Sequence, residues 1–116
     1  MRRLTKRAQF LKAARGARAS RRGFLVQAIR SPRDGPGLGF TVTRRTGNAV
    51  ERNRIKRRLR AAAAANAAHF TDGHDYVLIG RRDVLHEPFD RLVGGMRSAL
   101  GEIKTPQAGP ESQGRG

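Results

Sequence analysis

The sequence predicts a small single-domain α+β protein, an α/β sandwich with helices packed on one mixed sheet. Two observations carry this. A chain of 116 residues with 37% hydrophobic content has room for one modest core and not for two. Its apolar patterning reads helix, two or three strands, helix, strand, helix, so that strands stand both before and after a long central helix.

Each element has its own signal. Over residues 5–15, Ala8, Phe10 and Leu11 recur at helical spacing, with Gly16 placed to end the helix. Residues 17–22 are short and basic and read as an edge strand. Residues 23–30 (GFLVQAIR) are rich in strand formers. SPRDGPG, residues 31–37, is a turn, and residues 38–45 (LGFTVTRR) form the next strand, the two strands being expected to pair as a hairpin. Thr46 and Gly47 break that strand, and Asn48 caps a helix from residue 49 to about 68, which the five alanines 61–65 favour. Asp72-Gly73 is a turn. Residues 75–80 (DYVLIG) are continuously apolar, as suits a buried central strand. A last helix starts near Pro88, with Phe89, Leu92, Val93, Met96, Leu100 and Ile103 as one apolar stripe. The domain is expected to span residues 1–104. Residues 105–116 carry no apolar anchor and are expected to form a disordered tail.

Charge is the strongest functional signal. The net charge is +16, and residues 1–60 carry +17 against −1 for residues 61–116. So one-sided a distribution fits a nucleic-acid surface better than general solubility. The peak is NAVERNRIKRRLR, residues 48–60, with five arginines, one lysine and a single acid, Glu51. On a helical wheel Ile55, Leu59, Ala62, Ala63, Asn66 and Phe70 fall in one band about 100° wide, a seam for the sheet. Asn53, Lys56, Arg57 and Arg60 lie opposite with Arg54 at their flank, and Arg52 points toward the edge of the seam. Like charges at i,i+4 and cations at a helix start are both unfavourable. A polyanion removes these penalties, and guanidinium suits phosphate through its planar fork of donors.

Other classes are excluded or disfavoured. Without cysteine there is neither a disulfide nor a Cys-based zinc site. No apolar run is long enough to span a bilayer, the basic N-terminus lacks the apolar stretch of a secretory signal, and the basic segment lacks the bulky apolar face of a membrane-binding helix. A cytoplasmic protein is the expectation. His69, His74 and His86 have neither a carboxylate pair nor metal-ligand spacing and read as surface or capping residues. GPGLGF misses both the G-x-G-x-x-G and the P-loop patterns. A metal-dependent protein nuclease would need clustered acids, and the basic half has only two. Neither a helix-turn-helix partner nor a dimerisation device accompanies the basic helix, so structured RNA fits better than DNA.

GFTVTRRTGNAVERNRIKRRLR resembles the signature of the bacterial ribonuclease P protein component: a strand ending in basic residues, then Gly47-Asn48-Ala49-Val50, one variable residue, and Arg52-Asn53-Arg54 followed by further cations. RLTKRAQFLKAARGARASRRGFLVQA and DYVLIGRR resemble the family's first helix and strand and its last strand, so the likeness runs from residue 2 to about 104. The resemblance implies a ribosomal S5 domain 2-like fold, with a left-handed βαβ crossover at the Arg-Asn-Arg helix. It implies a subunit that binds the ribonuclease P catalytic RNA and helps remove the 5′ leader of precursor tRNA. The chemistry and its Mg2+ would lie in the RNA, the protein alone being inactive, with no cofactor of its own and no obligate protein partner. It places Arg44, Arg45, Arg52, Asn53, Arg54, Lys56, Arg57 and Arg60 on the catalytic RNA. A leader cleft between the first helix and the sheet would use Lys6, Arg7, Phe10, Phe24, Val26 and Phe40. Where family members often carry further aromatics this chain has Ala13, Ala14 and Gln27, so Arg15, Gln27 and the basic rim would contribute more. The alternative is a structural ribosomal-RNA-binding protein with no catalytic association.

Overall fold

The computed structural model describes residues 2–108, with side chains through residue 103. In chain order the elements are β1 (Arg2–Arg3), α1 (Arg7–Ala13), β2 (Ala17–Ser20), β3 (Phe24–Arg30), β4 (Gly37–Thr41), α2 (Ala49–Ala65), β5 (His74–Gly80) and α3 (Phe89–Ala108). Single 3-10 turns at Arg44–Thr46, Ala67–His69 and Arg82–Leu85 join them. The last helix runs on past residue 104, and residues 109–116 of the expected tail lie outside the described residues.

The strands form one mixed sheet in the order β1-β4-β5-β3-β2. The expected hairpin between β3 and β4 does not form, because β5 lies between them, antiparallel to β3 and parallel to β4. Burial explains the insertion. Tyr76 and Leu78 are buried on one face of β5 and Val77 on the other, so this strand belongs mid-sheet. Skipping one strand requires a span of roughly 10 Å, which the SPRDGP connection crosses easily. Gly73 closes the turn before β5 with φ +75°, a conformation glycine adopts without penalty. The N-terminal strand, unforeseen in the sequence, pairs in parallel with the start of β4 (Arg2↔Gly37). Arg2 clamps it there by donating to Asp75 Oδ1 (2.9 Å) and to the carbonyls of Asp34 and Gly35 (2.8 Å each).

Two unequal layers flank the sheet. Helices α2 and α3 cover one face over a core that includes Phe24, Val26, Leu38, Ile55, Leu59, Leu78, Leu92 and Met96. The whole expected α2 seam is buried there: Ile55, Leu59, Ala62, Ala63, Asn66 and Phe70 are each at most 5% exposed. Asn66, the one polar member, donates its side-chain amide to the carbonyls of Ala62 and Val93 (3.0 Å each) and so ties α2 to α3. Among the described residues the other face carries only α1, over a small cluster of Leu4, Ala13 and Val77 with Phe10, Ile29 and Ile79 at its border. A seven-residue helix is about 10 Å long. It covers about half of a five-stranded sheet roughly 20 Å wide. The remainder of that face is a groove.

Candidate nucleic-acid interface

The basic helix is held at its start by a capping box. Asn48 Oδ1 accepts from the Glu51 N–H (2.9 Å), and Glu51 Oε1 accepts from the Asn48 N–H (3.0 Å). Arg82, from the turn after β5, donates to Glu51 Oε2 (2.6 Å) and to the Thr46 carbonyl (3.0 Å). The Arg82 hydrogen bond, helped by the Asn48 N–H, lowers the Glu51 carboxyl from 4.5 to about 2, and the pairing raises the Arg82 guanidinium. A depressed acid stabilises the fold above its unfolded pKa and loses that contribution as pH falls through the folded value. Glu51→Gln keeps both capping hydrogen bonds and removes the charge. We therefore expect it to melt below the native chain at neutral pH, with the difference closing between pH 4.5 and about 2. A gap independent of pH would show that the charge contributes nothing.

With its only acid engaged by Arg82, α2 presents an exposed face of Asn53, Arg54, Arg57 and Arg60, with Lys56 half-buried beside them. A shallow hollow of about 440 Å³ lies along it, lined by Val50, Asn53, Lys56, Arg57 and Arg60. Arg52, expected at the edge of the seam, is half-buried and folds back to donate to the Gly47 carbonyl (2.6 Å), securing the start of the helix. Arg44 and Arg45 are corrected: the strand expected over residues 38–45 does not reach them. The strand ends at Thr41, and both arginines sit exposed in the 3-10 turn that redirects the chain into α2.

The groove beside α1 runs from Phe10 to the β4 edge, where Phe40 reaches it from the α2 side of the sheet, packed against that core; both rings are half-buried. The Phe10 ring lies on Gly39, where a Cβ would come within 2.7 Å of two ring carbons, so the glycine makes room for the aromatic. On one side a hollow of about 410 Å³ is lined by Arg7, Phe10, Leu11, Ala14, Gln27, Phe40, Thr41, Val77 and Ile79. On the other, about 430 Å³ opens at the edge of β4 beyond its pairing with β1, where Arg2, Arg3, Lys56 and Arg60 join the same two rings. The Arg60 guanidinium carbon stands 5.4 Å from the centre of the Phe40 ring, within cation–π range. The aromatic groove and the cationic helix face are therefore one continuous surface.

Of the residues expected in the cleft, Arg7, Phe10, Gln27 and Phe40 line it, while Lys6 and Arg15 are exposed near the two ends of α1 and outside both hollows. Phe24 and Val26 are corrected. They are 1% and 0% exposed in the core under α2 and α3, on the opposite face of the sheet. Strand alternation requires this, because Gln27 and Val26 are consecutive and cannot share a face. Arg2, Arg3, Leu11, Thr41, Val77 and Ile79 were missed as lining residues. For Val77 and Ile79 the alternation of β5 was the available signal; nothing local distinguished Arg2 and Arg3 from the other N-terminal cations.

Comparison with known proteins identifies the family. Residues 1–104 match the Ribonuclease P family. The chain is 44% identical to the ribonuclease P protein component of Ruegeria pomeroyi, over 90% of this chain and 87% of the relative. It is 46% identical to that of Gluconacetobacter diazotrophicus, over 84% and 87%. Among solved structures, the RNase P protein of Staphylococcus aureus superposes with a TM-score of 0.75 at 26% identity, covering 90% of this chain and 96% of that one. That of Thermotoga maritima gives 0.73 at 26%, covering 90% and 97%. With a described sheet and helices like those of the solved family members, and with matches along nearly the whole length of its relatives, this chain belongs to the ribonuclease P protein component family and is an RNA-binding subunit of that ribonuclease.

Proposed function

We propose that the outward face of α2, with Arg44 and Arg45 ahead of it, docks on the catalytic RNA of ribonuclease P, and that the Phe10–Phe40 groove takes the single-stranded 5′ leader of precursor tRNA. The observation that carries this is the division of α2 along its length. Its apolar seam is wholly buried, its only acid is already engaged by Arg82, and its remaining exposed cations are left for a partner to neutralise. The adjoining groove offers two rings and a cationic rim, the chemistry that holds unpaired bases and their phosphates.

In this reading the protein binds and positions, and hydrolysis belongs to the RNA. Mg2+ bound there would stabilise the charge that develops on phosphate oxygens. The left-handed sense of the β4–α2–β5 crossover belongs to the same reading, supported by the likeness to the solved family structures.

Cleavage of precursor tRNA by the RNA subunit at low magnesium tests the proposal. Added protein should raise leader removal, and protein alone should cleave nothing. Phe10→Ala should weaken affinity for leader-bearing substrate roughly 5- to 100-fold, as the loss of one stacked base does, and leave mature tRNA unaffected. Cleavage indifferent to added protein would refute the function. Equal losses for both substrates would remove the leader from the groove.

A further inference from the structure

Phe89 heads the apolar stripe of α3, yet it does not join the core. Leu92, Met96, Leu100 and Ile103 are at most 3% exposed, whereas Phe89 is 45% exposed. The reason lies across the helix pair: at this level α2 presents Arg54, Arg57, Arg58 and Ala61, which with Phe89 line a hollow of about 370 Å³. The ring stands on a fixed base. Arg58 donates to the Glu87 carbonyl, pinning the segment before α3 to α2. The Leu92 and Arg91 N–H groups close the first helical turn on the Pro88 carbonyl (3.0 and 3.1 Å). Among the described residues neither Arg54 nor Arg57 takes part in a salt bridge.

An exposed ring beside two free guanidinium groups matches the two halves of a nucleotide. We infer that Phe89 is a stacking platform for an unpaired base of the RNA subunit, with Arg54 and Arg57 holding the flanking phosphates, so that the RNA interface wraps from α2 onto the start of α3. Asp90, exposed and next in the chain, disfavours a phosphate on its own side and directs the backbone over α2. A protein partner would need roughly 1,000 Å² of complementary surface, which one phenyl ring among arginines does not offer.

The inference rests on the docking of α2 to RNA, and the test separates the two. The full chain and its Phe89 variants are titrated with the RNA subunit across a salt series. Phe89→Ala should bind about 5- to 100-fold more weakly with an unchanged salt slope, because the ring carries no charge. Phe89→Leu should remain weak, since it restores apolar surface without a ring. The native chain contains no Trp. Phe89→Trp therefore introduces a single indole whose fluorescence should be quenched as RNA binds. Binding within two-fold of native by Phe89→Ala, rescue by Phe89→Leu, or unquenched emission in the formed complex would each overturn the stacking role; the last would favour a protein contact. Failure of the native chain itself to bind would instead overturn the docking of α2, and this inference with it.

Discussion

Replacing Arg54, Arg57 and Arg60 together with alanine should weaken binding to the ribonuclease P RNA about 100-fold and flatten its salt dependence. Every phosphate that is no longer neutralised lowers the slope of log K against log salt by roughly 0.7–0.9, so three should remove about 2.1 to 2.7 units. An affinity loss of that size corresponds to about 1 kcal/mol per lost arginine contact, as for an ordinary hydrogen bond and less than a fully desolvated charge-assisted one. Arg52 is left in place because its guanidinium holds the Gly47 carbonyl, and its removal would mix binding with folding. The free triple variant should melt close to the native protein, the lost Arg60–Phe40 contact being offset by the helix itself. All three side chains are exposed, the substitutions remove the repulsive pairs Arg54–Arg58 and Lys56–Arg60, and alanine favours the helix. A filter-binding or fluorescence titration across salt decides it. An unchanged slope would mean that these arginines are merely solvated.

Leu59→Ala should have the opposite profile. Leu59 is fully buried on the inner face of α2, within the core shared with β5 and α3. Deleting its side chain there costs about 2–5 kcal/mol, since a packed core relaxes only partly into the space left. For a domain of this size that is a fall in melting temperature of roughly 10–30 °C. The fraction that remains folded should keep the native salt slope, because every outward cation survives. The two variants thus separate the two halves of one helix: one loses RNA and keeps its fold, the other loses its fold and keeps its RNA chemistry. A thermal melt of Leu59→Ala indistinguishable from the native one would contradict the assigned core.

The inner and outer faces of α2 were legible from residues 48–70 alone, because a helix imposes a fixed angular period on its sequence, and apolar and cationic positions then sort themselves. The same held for the central strand, whose unbroken apolar run leaves no face for solvent, and for the Asn48 cap. Strand pairing was not legible. The turn SPRDGPG is equally compatible with a hairpin and with a step across a strand, and the apolar demand of β5, distant in sequence, chose the step. The cleft was read only in part for a related reason. Phe24 and Val26 are the right kind of residue, but which face of a strand meets α1 and which meets α2 is settled by the whole sheet. Phe89 fitted the apolar period of its helix and still lies outside the core, because at its level the neighbouring helix offers arginines. Most of the elements, the charge asymmetry and the cationic face of α2 follow from the chain alone, since each depends on residues close together along it. Which strands touch, that the Phe10–Phe40 groove runs into the Arg60 side of α2, and that Arg52 and Glu51 secure the helix start emerge only on folding, because those interactions join residues that the chain itself keeps apart or bends back on.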